Sequence, residues 1–204
     1  MKSIFTLLII SMLIFAGACN NEIGDDKKIE NDSPKIEVEA IHETTRVFPA
    51  HTYTSPQDKF SVDFPAQKVE LSEQAVPVEG MDDIKIRLFV CEYADAAFFI
   101  GVSSYSDEFM AKTDVDHLLT SGADNMLAAY ENVVILDKRL SKDAEGNHGI
   151  EMAATAESEG FKIYVKTRNV FIGNYLYQIY SLAESTKQDD ELIDHFMNSF
   201  KYLK

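Results

Sequence analysis

Residues 114–117 read DVDH, and Asp114 and His117 stand three apart, a spacing that puts two metal ligands on one face of a helix. Two ligands do not make a metal site. Acidic residues also belong in a first helical turn, where they cap free amides and meet the positive end of the dipole, so capping is the expected role. Asp143-x-Glu145-x-Asn147 has the alternating oxygen donors that open a calcium loop. Such a loop needs Gly at its sixth position and a bidentate Glu at its twelfth, where His148 and Ala154 stand instead, so a hairpin turn is expected. Ser103 and Ser104 lie outside any G-x-S-x-G elbow, and no glycine-rich phosphate loop follows a strand. The histidines at 42, 51, 117, 148 and 195 are scattered, and His195, beside Asp194 on the polar side of a helix, reads as solvated surface. Cys91, in IKIRLFVCEYA, has no C-x-x-C partner and no nearby His, which makes it a small core hydrophobe. No catalytic constellation stands out, so a non-enzyme without cofactor or metal is expected.

Tyr175, Tyr177 and Tyr180, with Phe98, Phe99 and Phe171, are the set that could line an apolar pocket, although aromatics on strands are ordinarily core. The chain is 204 residues long with a formal net charge of −15. That length suits one domain with extensions. A surface this acidic repels phosphate backbones and anionic headgroups, so nucleic-acid binding is not expected.

The N-terminus settles a different question. A short basic start, MKS, precedes a twelve-residue apolar region at 4–15 (IFTLLIISMLIF), too short to span a bilayer comfortably but suited to a secretory signal. Ala16, Gly17 and Ala18 follow, then Cys19. AGAC resembles the lipobox of bacterial lipoproteins, in which the thiol accepts a diacylglyceryl group and cleavage leaves that cysteine first. The resemblance departs from the family pattern in two places: Ala16 stands where Leu is most frequent, and the start carries a single Lys. It implies a signal peptide over 1–18, acylation (palmitate among the chains) at Cys19, and a membrane anchor made of several acyl chains, each contributing ~0.8 kcal/mol per buried CH₂. Asn20 resembles lipoproteins sent to the outer membrane rather than retained at the inner one. With Cys19 acylated, Cys91 has no disulfide partner.

From 19 to 54 the chain is polar and acidic and reads as a solvated tether, with one possible strand at 35–41 (KIEVEAI). The folded domain is expected over 55–204. Residues 59–64 alternate and stop at Pro65, 83–93 put Ile84, Ile86, Leu88 and Val90 opposite Lys85 and Arg87, and 97–105 are apolar on both faces. Four further strands, at 133–140, 148–157, 161–171 and 175–183, are joined by turns at 143–147, 158–160 and 173–174, which makes an antiparallel meander. One helix carries Val115, Leu118, Leu119, Ala123, Met126, Leu127 and Tyr130 on its stripe, with Thr113 or Asp114 as cap. A second carries Leu192, Ile193, Phe196, Met197 and Phe200, with a capping box of Ser185 and Thr186 with Gln188 and Asp189. The order predicts an α+β fold: an antiparallel β-sheet with two main helices packed on it.

FSVDFP at 60–65, the long helix after the first hairpin, the meander and the closing NYLYQIY…FMNSFKY at 174–202 resemble the Mog1/PsbP-like superfamily over about residues 55–204. The resemblance implies binding and assembly roles and carries no catalytic set. The expectation is therefore a lipid-anchored, non-enzymatic lipoprotein of the cell envelope, outer membrane favoured, that binds or assembles an envelope protein partner. The alternative is a carrier of a small apolar or metal ligand in a pocket between helices and sheet.

Overall fold

The structure, a computed structural model, describes residues 49–77, 83–143, 145–184 and 191–204. Cys19, the tether, the strand expected at 35–41 and the capping box around Ser185 lie outside them. The described chain runs β1 (His51–Ser55), β2 (Phe60–Phe64), β3 (Glu70–Val76), β4 (Ile84–Tyr93), β5 (Ala96–Ser104), α1 (Asp107–Lys112) and α2 (Val115–Leu127). It continues through β6 (Glu131–Lys142), β7 (His148–Ser158), β8 (Phe161–Ile172), β9 (Tyr175–Glu184), α3 (Glu191–Ser199) and β10 (Lys201–Tyr202). The expected α+β architecture is present. Seven antiparallel strands form the main sheet in the order β3-β4-β5-β9-β8-β7-β6, and β1-β2-β10 form a second, smaller sheet. Strand β1 straddles residue 54, where the sequence places the end of the tether.

The meander follows from its turn chemistry. Ser158 pairs with Phe161, and both intervening residues, Glu159 (φ 51°) and Gly160 (φ 82°), take the left-handed backbone of a type I′ turn. The β4–β5 hairpin turns through Ala94 (φ 51°) and Asp95 between paired Tyr93 and Ala96, with no glycine to announce it.

Both faces of the main sheet are covered. On one, Leu119, Ala123, Met126 and Leu127 of α2 pack on Val90, Phe99, Met152, Ala154, Val165 and Leu182. On the other, Phe60, Val62 and Phe64 of β2 and Ile193, Phe196 and Met197 of α3 cover Phe89, Phe98, Ile100, Tyr177 and Ile179. The second face thus departs from the expectation of helices alone, because half its cover is the small sheet. Strand β4 departs likewise. Its single apolar face holds for Ile86 and Leu88, but Phe89 and Cys91 point the opposite way and are fully buried under that small sheet. Ring contacts lock the layer: Phe98 meets Phe196 edge-on at 5.1 Å between centroids, and Phe60 meets Phe89 at 5.1 Å.

One polar tie joins the two sheets. Asp58, in the β1–β2 turn and 6% exposed, receives the Arg87 guanidinium at 2.5 Å and the Ser55 hydroxyl at 2.5 Å. Arg87 also donates to Glu73 at 2.9 Å and lies over the Phe89 ring, and the Tyr177 hydroxyl donates to the Asp58 carbonyl at 2.8 Å. Removing one member of such a pair strands the other charge. Asp58→Ala is expected to cost about 3–5 kcal/mol in urea unfolding; a loss below about 1 kcal/mol would show that the tie carries little of the fold.

Candidate functional site

Each residue singled out for its chemistry has a structural place. Asp114 is the N-cap of α2, accepting from the Asp116 and His117 amides at 3.0 and 3.1 Å, as its position in a first turn requires. Asp116, the second acid of DVDH, meets His148 Nδ1 of β7 at 2.6 Å and fixes the helix to the sheet. Asp143 closes a hairpin turn: its carboxylate accepts from the Glu145 and Asn147 amides, both at 2.9 Å, and from the Asn147 side chain at 2.8 Å. The Asn147 bond comes first among the causes that hold the Asp143 carboxyl below its ordinary pKa. Among the described residues, no group of three or more His, Cys, Asp or Glu converges on a metal-sized site.

Ser103 is buried, and Tyr105 beside it is pushed up to about 12 by burial, against the smaller effect of its bond to Ser103. His195 lies at the surface, as expected, with its Nε2 3.3 Å from Asp63 of β2. Cys91 is fully buried with its thiol 3.7 Å from the Ala66 carbonyl, and burial pushes the thiol up from its ordinary pKa.

The aromatic set does not gather around one cavity. Phe99 and Tyr180 stack at 4.4 Å on the α2 face, with Phe171 in the same cluster. Phe98 and Tyr177 lie on the opposite face against α3 and β2, and Tyr175 is 39% exposed. The reason is the period of two: Phe98 and Phe99 are consecutive on β5 and must face opposite ways.

Two features that the sequence did not single out remain. One is an edge. Strand β6 ends the main sheet, and Val133, Val134, Ile135, Leu136 and Leu140 on it are 36–56% exposed. Register shifts lie between Glu131 and Val134 and again between Ile135 and Asp137. Each shift sets one extra residue against β7, and the four consecutive aliphatics at 133–136 lie exposed across the two bulges. Phe161, 58% exposed, begins β8 at the same end of the sheet. The other sheet edge, β3, carries Glu70 and Glu73, the charges by which natural edges resist pairing.

The second feature is a cleft of about 320 Å³ on the α3 face, over strands β6, β7 and β8. Its floor is a cross-strand set: Arg139 pairs with Glu151 and Glu151 with Arg168, while Asp137 pairs with Ala153 and Ala153 with Lys166. Tyr164 of β8 also lines it, as do Asp194, Met197 and Asn198 of α3. None of the expected pocket aromatics lines it.

No family model matches the chain, and neither does any curated protein sequence. Among solved structures, the solution structure of cyanobacterial PsbP (CyanoP) from Synechocystis is similar at 10% identity and a TM-score of 0.48, over 80% of this chain and 98% of that one. A protein of unknown function from Pseudomonas aeruginosa is similar at 9% identity and a TM-score of 0.40, over 69% of this chain and 86% of that one.

A buried, high-pKa thiol is inert. Cys91 is expected to resist a disulfide reagent such as Ellman's in the native full chain, and to react in step with unfolding by urea. Reaction at the rate of a free thiol in the folded protein would remove it from the core.

Proposed function

We propose that the chain is a lipid-anchored, non-enzymatic binding module of the cell envelope whose docking surface is the β6 edge. The observation that carries the reading is this strand's combination of exposed aliphatic side chains and an open backbone edge, which is the template for adding a partner strand. The regular stretch at 137–142 supplies the ladder, and residues 133–136 with Phe161 supply the apolar contact. On a chain of net charge −15, this strand carries Lys138, Arg139 and Lys142. Lys138 is held by Asp124 and Arg139 by Glu151, so among the described residues Lys142 is the cation this strand has to offer, and the occupant that fits is an extended segment of a protein partner with an acidic residue opposite Lys142 and apolar ones against 133–136. Acylation at Cys19 would hold the module at the membrane, with the outer membrane favoured by Asn20 and the polar segment before β1 giving it reach.

Two measurements bear on this reading. For the anchor, Cys19→Ala is expected to take up no fatty-acid label and to leave the membrane fraction; an unlabelled wild-type chain that still sediments with membranes would end the lipoprotein assignment. For the docking edge, hydrogen exchange is followed on the full chain bound to its cross-linked envelope partner. Amides of 137–142 are expected to become protected, and Val134→Lys/Leu136→Lys to abolish the complex while changing stability by no more than about 0.5 kcal/mol per site. Protection confined to another face would overturn the edge as the docking surface.

A further inference from the structure

We propose that the cleft over β6, β7 and β8 is a binding site for a small monocarboxylate, anchored by the Arg168 guanidinium. The cleft exists because Ala153 sits between Asp137 and Lys166 in the cross-strand row, flanked by Glu151 two residues along its own strand. Long side chains surround a methyl group, and α3 stands over one side, so a hollow of about 320 Å³ is left. That lies at the lower end of the range of small-molecule sites and equals roughly ten water volumes at ~30 Å³ each.

The charges inside the cleft do not close. Arg139 grips Glu151 through two nitrogens, at 2.6 and 3.2 Å, and lies 3.7 Å from Asp137. Lys166 is bonded to Asp194. Arg168 is half-buried, yet among the described residues it makes no hydrogen bond or ion pair, and its cross-strand neighbour Glu151 is already held by Arg139. On a chain with 34 acidic residues against 19 basic ones, a guanidinium left unpaired in a concave site is missing one anion. The same cleft sets the anion's charge. Asp137, Glu151 and Asp194 line it beside the three cations, so a dianionic phosphate meets repulsion that a monoanion largely avoids. A guanidinium fork matches the two oxygens of a carboxylate. The apolar remainder of the ligand has Ala153, Tyr164 and Met197 to pack against.

The test is ligand-observed NMR on the full chain with three probes of one shape: benzoate, benzamide and phenyl phosphate. Benzoate is expected to bind, with benzamide and phenyl phosphate about tenfold weaker or worse, the scale of one lost charge-assisted contact. Arg168→Gln is expected to weaken benzoate by about tenfold or more and Arg168→Lys to restore part of it. Ala153→Leu, which fills the hollow, is expected to abolish binding. Thermal unfolding of each variant verifies that the fold is intact, and a variant that fails to fold is replaced in the comparison by Arg168→Lys. Equal binding of benzoate and benzamide, benzoate affinity unchanged in Arg168→Gln, or no benzoate binding at millimolar concentration would each overturn the proposal.

Discussion

Strand β5 is apolar on both faces, and that constraint organises the rest of the molecule. Phe98, Ile100 and Val102 point one way and Ala97, Phe99 and Gly101 the other, with every residue from Ala97 to Ser103 buried. A strand of this kind cannot sit at an edge or against water, so it must be central and roofed twice. Its neighbour β9 has the same character, from Leu176 to Ala183, with Gln178 the less buried interruption. The chain meets the demand with α2 on one face, and with α3 and the small β1-β2-β10 sheet on the other. The first roof follows β5 closely in the chain, while the second is assembled from the two ends of the described domain, so this face of the core closes only when both ends have come together.

The small sheet could slide over an apolar face, and the Asp58 tie opposes this. Burying a carboxylate is costly unless its oxygens are satisfied. Here Arg87 and Ser55 both donate to one of them, Oδ2, so the charge is paired, and Tyr177 bonds the same residue's carbonyl. The geometry works for one position of the β1–β2 turn over β4 and β9. Apolar burial thus provides the adhesion, and the ion pair fixes the alignment.

The covered and uncovered parts of the α3 face explain where function can reside. Nine residues of helix extend about 13 Å at 1.5 Å per residue. That is enough to cross β9 and β8 but leaves β7 and β6 bare. The bare floor carries charge, in the row Arg139–Glu151–Arg168, and the bare edge carries aliphatics turned outward by two bulges. The short roof leaves room for the cleft, whereas the edge is open because β6 is the last strand of the sheet.

Some of this was legible from the residues themselves. The meander, its turns at Gly160 and Gly173, the cap at Asp114 and the apolar stripe of α2 are set within a dozen residues, because strand period, turn backbone and capping are local chemistry. The core position expected of Cys91 also followed from its neighbours. The sequence did not announce β1, β3, the two-residue β10 or the short α1, whose patterns are too weak to stand without partners. It grouped six aromatics into one candidate pocket although alternation alone sends Phe98 and Phe99 to opposite faces. Tertiary structure decided which face each roof covers, brought Asp58 to Arg87 across 29 positions, and left Arg168 without a partner among the described residues. Those outcomes depend on which strands lie side by side and how far a helix reaches. Both are set by the balance of burial over the whole sheet, and no local stretch of sequence contains that balance.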